Sequence, residues 1–127
     1  MNEINILVAK SDTYMLSANM LIEIQDYESA VSRIYYAMFY LTQALLLTEN
    51  VQVSIHLGVN NKFSLLFVKT NIFPKEFGKY LSYAGQRRST GDYEIYNRID
   101  KETSEDLLKT AYIFNNALKE YLQKKGF

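Results

Sequence analysis

The sequence DYESAVSRIYYAMFYLTQALLLTE, residues 26–49, decides the fold of this chain. It contains neither Gly nor Pro, and apolar side chains recur three and four positions apart at Tyr27, Ala30, Val31, Ile34, Met38, Leu41 and Leu45. This spacing places them on one face of an α-helix. Further apolar surface on the other side comes from Tyr36, Phe39, Leu46 and Leu47. A helix of this kind is typically central and contacts neighbours on several faces or a second subunit. Asp26 is suited to cap its first turn.

The flanking segments show helical spacing as well. It predicts a first helix from Ile4 to about Gln25, a short third helix between Val59 and Lys69, and a last helix that starts at Thr103. Pro74 fits the first turn of a fourth helix, where its missing N–H costs nothing. The polar segment 86–99 contains Gly91, which predicts a helix end followed by a loop or short turn. We therefore expect one all-α domain over residues 1–127, an up-and-down bundle of four to five helices.

Composition narrows the class of protein. With 127 residues, of which 48% are hydrophobic and none is Cys, the chain can form a core without disulfides, as suits a reducing compartment. The first twelve residues lack a basic segment followed by an unbroken apolar one, so a signal peptide is not expected. The longest uncharged run, Ile34 to Thr48, is shorter than the roughly 20 residues that span a bilayer. We expect a cytoplasmic protein without a membrane partner.

The formal charge is zero but unevenly distributed. Residues 1–61 carry two basic and six acidic residues, a net charge of −4, whereas residues 62–98 carry seven basic and three acidic residues, a net charge of +4. The basic segment either forms a face that binds phosphates, or attracts the acidic half of the same chain or of a second copy, or is an ordinary solvated surface.

Composition also limits the chemistry. Without Cys and with one His, the chain has neither a Cys–His pair nor a multi-histidine metal site, and no glycine-rich phosphate loop occurs. No metal and no cofactor are therefore expected.

Three sets of polar residues remain as candidate sites. Arg33, beside Tyr36 on the apolar helix, either pairs with an acid such as Asp92 or Glu28 or holds a phosphate through its planar donors. His56 either has a structural role, as a helix cap or a surface residue next to the third helix, or acts in catalysis. The third set is Arg87, Arg88, Ser89, Thr90, Gly91, Asp92 and Tyr93, with Tyr96 and Arg98 following. It either binds phosphates and bases or braces a helix corner through an Arg–Asp pair.

Several of these residues together resemble the compact prokaryotic HEPN proteins. The likeness runs through Asp26-Tyr27, Ser32-Arg33-Ile34-Tyr35-Tyr36-Ala37-Met38-Phe39, Ala44-Leu45-Leu46, His56-x-Gly58, Phe67-Val68-Lys69 and Arg88-x-x-x-Asp92-Tyr93. It covers the chain from about residue 10 to about residue 120, in the order of that group.

The resemblance implies a helical bundle, commonly a homodimer, often encoded beside a minimal nucleotidyltransferase as a toxin–antitoxin-like pair. Many HEPN proteins are metal-independent ribonucleases with an Arg, four to six residues and then a His. Here Arg88 followed by four residues arrives at Tyr93, and no His lies downstream. The ribonuclease motif is therefore incomplete. Tyr93 cannot simply replace the histidine, because tyrosine, with a pKa near 10, is a poor general base at neutral pH.

Three functional hypotheses follow from these residues. The leading one is a non-enzymatic or weakly active module that forms a dimer and works with a nucleotidyltransferase. It binds nucleotide or RNA phosphate through Arg33, Tyr36, Arg87, Arg88, Asp92 and Tyr93. The second is a metal-independent RNA endonuclease that uses Arg88 with His56, and the third is a purely structural partner subunit. Tyr93 or Tyr96 as the acceptor of a modifying group from the transferase is a further hypothesis.

Overall fold

A computed structural model describes the backbone of residues 2–93 and 99–127, and the side chains of residues 2–89 and 99–127. Over these ranges the chain forms five α-helices and no strand. The helices are α1 (Glu3–Glu23), α2 (Tyr27–Leu47), α3 (His56–Phe63), α4 (Glu76–Tyr93) and α5 (Lys101–Lys124). A π-helical segment, Ser64–Val68, continues α3. The all-α fold expected from the sequence is confirmed.

Helix α2 is the centre of the bundle. It begins after Asp26, whose Oδ1 accepts a hydrogen bond from the backbone N–H of Ser29 at 3.3 Å. Twelve of its 21 residues are buried, and it packs against α1, α3, α4 and α5. The second apolar side predicted for α2 therefore packs largely against helices of the same chain, with Phe39 and Leu46 buried and Tyr36 and Leu47 half-buried.

A buried polar contact joins the three longest helices. The hydroxyl of Ser11 on α1 donates to the carbonyl oxygen of Ala37 on α2 at 2.6 Å and accepts from Nδ2 of Asn115 on α5 at 3.3 Å. Because a buried polar group without a partner is costly, this contact favours one register of the three helices. At the surface, Lys119 and Asp12 form an ion pair at 2.9 Å between α5 and α1.

The prediction that segment 86–99 is a helix end followed by a loop or short turn is wrong as far as Tyr93, since α4 continues to that residue. Leu81, Ala84 and Arg88 are spaced so that they share one helical face, and this face packs on α2. That packing outweighs the roughly 1 kcal/mol that Gly91 costs inside a helix. The stretch from Arg87 to Tyr93, predicted as non-helical, is therefore helical.

Three helix starts also differ from the predictions. Helix α3 begins at His56 rather than near Val59. Helix α5 begins at Lys101, because the Asp100 carboxylate accepts from the backbone N–H of Thr103 at 2.8 Å and caps the helix earlier than expected. Pro74 precedes α4 by two residues, and its carbonyl oxygen accepts from the N–H of Phe77 at 3.0 Å.

No helix in the described ranges has both the length and the apolar character that crossing a bilayer requires.

Candidate functional site

His56 and Arg88 meet on two neighbouring tyrosines of α2. The guanidinium carbon of Arg88 lies 5.6 Å from the ring centroids of both Tyr35 and Tyr36, and its Nη1 is 3.5 Å from the Tyr36 hydroxyl oxygen. The His56 ring stacks on Tyr35 with centroids 5.4 Å apart and lies 4.6 Å from the ring of Phe39. Residues from α2, α3 and α4, far apart in sequence, thus form one cluster.

A hydrogen bond fixes the imidazole in this cluster. The phenol oxygen of Tyr35 is 2.5 Å from Nδ1 of His56. Burial raises the pKa of Tyr35 to about 12, so the phenol keeps its proton at neutral pH. If the phenol donates, His56 carries its hydrogen on Nε2; if Nδ1–H donates, Nε2 is free to accept a proton.

The protonation of His56 follows from its surroundings. Burial lowers the pKa of His56 below its usual 6.5, and the positive charge of Arg88 lowers it further. The imidazole is therefore neutral at pH 7, the form in which it can accept a proton.

These side chains line a cavity of about 390 Å³. Its walls come from α2, α3 and α4, namely Tyr35, His56, Leu57, Asn60, Ser82, Gly85, Gln86, Arg88 and Ser89. Gly85 allows the close approach of α4, since a Cβ there would lie 3.2 Å from Cε1 of Tyr35. Oδ1 of Asn60 is buried and has no hydrogen-bond partner among the described residues. We call this space the His56–Arg88 cavity.

A row of tyrosine rings extends from the cavity across α2 to α1. Tyr36 contacts Tyr40 with centroids 5.9 Å apart, and Tyr40 contacts Tyr14 edge to face at 5.3 Å. Arg33 lies 4.7 Å above the ring of Tyr14, and Lys10 lies 4.4 Å above that of Tyr40. Arg33 and Arg88 thus flank the two ends of one aromatic row, each in cation–π contact with it.

Burial raises the pKa of Tyr40 to about 12, and its hydrogen bond with Tyr14 adds to the shift. Tyr40 therefore presents a neutral ring to Lys10 at physiological pH.

Sequence reasoning did not single out Lys10, Tyr14, Tyr40 or Asn60. The spacing of Lys10 and Tyr14, one helical turn apart, was the available signal, and Arg33, Tyr36 and Tyr40 likewise share one face of α2. Which turn of α1 faces which turn of α2 depends on tertiary packing. The spacing within each helix therefore could not show that these residues meet.

The other predicted residues are placed as follows. Arg33 is exposed and reaches the ring of Tyr14. Arg87 does not line the cavity; its charge acts near Asp100, where the hydrogen bonds from Thr103 are the main reason that the pKa of that carboxyl is lowered. The side chains of Asp92 and Tyr93, and the whole of Tyr96, lie outside the described residues. Their predicted roles, including an Arg–Asp pair, stay predictions.

In the part of the chain that the structure describes, no three His, Asp or Glu side chains gather in a way that could hold a metal ion. The residues that line the His56–Arg88 cavity supply one imidazole, one guanidinium, two amides, serine hydroxyls and the ring of Tyr35.

The family model described as HEPN domain matches residues 4–121, and the chain belongs to this family. The resemblance inferred from the sequence motifs is confirmed.

Several curated proteins are similar over most of their length. "Putative toxin MJ0142" of Methanocaldococcus jannaschii is 39% identical over 124 residues, covering 98% of this chain and 84% of that protein. A "UPF0332 protein" of Thermotoga maritima is 37% identical over 84% of this chain and 80% of its own length. "Putative toxin MJ0605" of Methanocaldococcus jannaschii is 30% identical over 96% of this chain and 90% of its own length.

Proposed function

We propose that this HEPN protein has a toxin-like role and that it binds a phosphate of RNA in the His56–Arg88 cavity. The observation that carries the proposal is the convergence of His56 and Arg88, from different helices, on the Tyr35–Tyr36 pair at one cavity. The toxin-like role is further supported by two relatives with the word toxin in their names.

The chemistry of the cavity matches a ribonucleotide. Arg88 offers a planar set of donors that suits phosphate oxygens, and Ser82 and Ser89 add hydroxyls at the same wall. The unpaired Oδ1 of Asn60 is an acceptor that a ribose 2′-hydroxyl can satisfy, which distinguishes RNA from DNA. The tyrosine row beyond Tyr36 offers rings to neighbouring bases, with Arg33 at its far end.

A nucleotidyltransferase as partner is part of the same proposal. Its support is the resemblance to HEPN proteins that are encoded beside such an enzyme. Co-expression of this chain with the product of an adjacent nucleotidyltransferase gene tests it: we expect co-purification and relief of any growth defect, and independent elution of the two proteins would contradict the pairing.

Binding of a short fluorescent single-stranded RNA, followed by anisotropy at low and moderate salt, tests the main proposal. Arg88→Ala should weaken binding about tenfold or more, since hydrogen bonds to charged groups contribute roughly 1.5–3 kcal/mol. The control is Lys109→Ala, which removes the same charge from an exposed position on α5. Equal losses in both variants would mean that only net charge matters, and no RNA binding at all would overturn the proposal.

RNA cleavage is the second candidate, favoured by the neutral state of His56 beside Arg88. In this reaction His56 takes the proton of a 2′-hydroxyl, whose oxygen attacks the adjacent phosphorus. The bond to the 5′-oxygen breaks, solvent protonates the leaving oxygen, and the product is a 2′,3′-cyclic phosphate. Arg88 stabilises the charge on the phosphoryl oxygens.

The cleavage candidate is tested by incubating RNA with the protein in the presence of EDTA. We expect cleavage that His56→Ala and Arg88→Ala each abolish. Cleavage that survives His56→Ala unchanged would contradict this role, whereas RNA binding without cleavage would leave binding as the function.

A further inference from the structure

Two basic side chains of the first half of the chain lie over one pair of tyrosine rings. Lys10 and Arg33 are the only Lys or Arg residues among residues 1–61. Nζ of Lys10 lies 4.4 Å from the ring centroid of Tyr40, and the guanidinium carbon of Arg33 lies 4.7 Å from that of Tyr14. The two rings are in contact, with centroids 5.3 Å apart. We call these four residues of α1 and α2 the Lys10–Arg33 clamp.

No carboxylate among the described residues forms an ion pair with either cation of the clamp. Asp12, two residues after Lys10, pairs instead with Lys119 of α5 at 2.9 Å. Glu23 lines a groove of about 410 Å³ with Arg33 but makes no ion pair with it. The ring faces attract the two cations without cancelling their charge. Because both cations are at exposed positions, an anion from solution can reach them.

The phenols of the clamp add a hydrogen-bond donor. Tyr40 hydrogen-bonds with Tyr14, and burial raises the pKa of Tyr40 to about 12, so this phenol keeps its proton at neutral pH. A bond between two phenols uses one O–H group and leaves the other available. The clamp thus offers an ammonium, a guanidinium and a hydroxyl, all of which donate to an anion.

The clamp and the His56–Arg88 cavity differ in charge. Among the described residues that line it, the cavity carries the single charge of Arg88, because His56 is neutral at pH 7. One positive charge matches an internal phosphodiester, which carries one negative charge. The two charges of the clamp match a phosphomonoester, whose charge is about −1.5 to −2 at pH 7 because its second pKa is about 6. In RNA, a phosphomonoester occurs at the end of a strand.

One ring separates the clamp from the cavity. The centroid of Tyr36 lies 5.6 Å from the guanidinium carbon of Arg88 in the cavity and 5.9 Å from the centroid of Tyr40 in the clamp. A strand whose phosphodiester lies in the cavity therefore needs only a short further stretch to reach the clamp. Tyr36 lies between the two, where a base can contact its ring.

We propose that the Lys10–Arg33 clamp binds the terminal phosphate of an RNA whose internal phosphodiester lies in the His56–Arg88 cavity. This inference rests on the RNA binding proposed above and narrows the ligand to RNA with a phosphorylated end close to the bound phosphodiester. The monoester has the same chemistry at a 5′ end and at a 3′ end, so the experiment includes both.

Isothermal titration calorimetry of the full chain with three forms of one short RNA tests the proposal. The forms carry a 5′-phosphate, a 3′-phosphate, or hydroxyls at both ends. We expect one phosphorylated form to bind about tenfold tighter than the hydroxyl form, since a dianion gains charge-assisted hydrogen bonds at the clamp that a hydroxyl lacks. That form identifies the end of the strand that the clamp holds. Equal Kd values for the three forms would overturn the clamp and leave RNA binding intact, whereas no binding of any form would overturn both proposals.

Variants separate the clamp from the cavity. Lys10→Ala and Arg33→Ala should each remove most of the preference for the phosphorylated form and weaken the hydroxyl form much less. Arg88→Ala should weaken all three forms and keep their ratio. The control is Lys109→Ala, which removes the same charge from an exposed position on α5 and should keep the preference. A preference that survives in both Lys10→Ala and Arg33→Ala, or that is lost in Lys109→Ala as well, would overturn the proposal.

Discussion

The phenol oxygen of Tyr35 on α2 lies 2.5 Å from Nδ1 of His56 at the start of α3. This hydrogen bond ties the only histidine of the chain to its most central helix. Gly85 on α4 leaves the space in which the Tyr35 ring lies, so the position of the imidazole depends on three helices.

Replacing Tyr35 with Phe should therefore release the imidazole. The variant loses one hydrogen bond in a half-buried site, and we expect the free energy of unfolding to fall by about 1 kcal/mol. Urea denaturation measures it, with Tyr83→Phe, at an exposed tyrosine of α4, as the control that should change little. Equal stability of both variants would show that the Tyr35–His56 bond contributes nothing.

Gly58 should be required for the start of α3. A Cβ at this position would lie 2.6 Å from Cγ1 of Val53 in the connector that precedes the helix. Gly58→Ala should destabilise the protein even though alanine is favoured over glycine within a helix by about 1 kcal/mol. Thermal unfolding checks this prediction against Gly78→Ala, whose Cβ would lie 3.3 Å from the Ser64 hydroxyl and should be tolerated better.

The contact among Ser11, Ala37 and Asn115 should hold the register of the bundle. Ser11→Ala removes the acceptor of the Asn115 amide inside the core, where a donor left unsatisfied costs roughly 1–3 kcal/mol. The control is Ser17→Ala, because Ser17 bonds only one turn back to the Thr13 carbonyl oxygen. If both variants unfold at the same denaturant concentration, the interhelical contact contributes no more to stability than the local bond of Ser17.

Stability should also depend on pH through His56. Its pKa is lowered in the folded protein by burial and by Arg88, so below the unperturbed value of 6.5 the unfolded chain binds a proton that the folded chain does not. The contribution of neutral His56 to the free energy of unfolding is therefore fully present above pH 6.5. It falls with decreasing pH until the pH is below the lowered pKa of His56 in the folded protein. His56→Gln should remove this part of the slope, and an unchanged slope would contradict the assignment.

The helices could largely be predicted, because their signals are local. The helical spacing of apolar residues in α2 and the cap at Asp26 both depend on residues close together in the sequence. Both are found in the structure. The continuation of α4 through Gly91 could not be predicted, since it depends on the face of Leu81, Ala84 and Arg88 that packs on α2.

The candidate site could be predicted only in part. His56 and Arg88 were identified by residue type, but their shared position on Tyr35 and Tyr36 follows from the way α2, α3 and α4 pack. The row of Tyr14, Tyr40 and Tyr36 likewise requires the register of α1 against α2, which no pattern within one helix contains.

Nuclear magnetic resonance of the single histidine tests the central claim, that His56 and Arg88 face one phosphate site, most directly. The Hε1 signal of His56 needs no further assignment, and its pH titration gives the pKa of that residue. We expect a pKa below 6.5 in the wild type and a higher one in Arg88→Ala, since the nearby positive charge is gone. A short RNA should move the signal and raise the pKa, because an anionic phosphate favours the imidazolium. Two results would contradict the account. One is a His56 Hε1 signal that does not move although anisotropy shows that the RNA is bound, and the other is the same His56 pKa in the wild type and in Arg88→Ala.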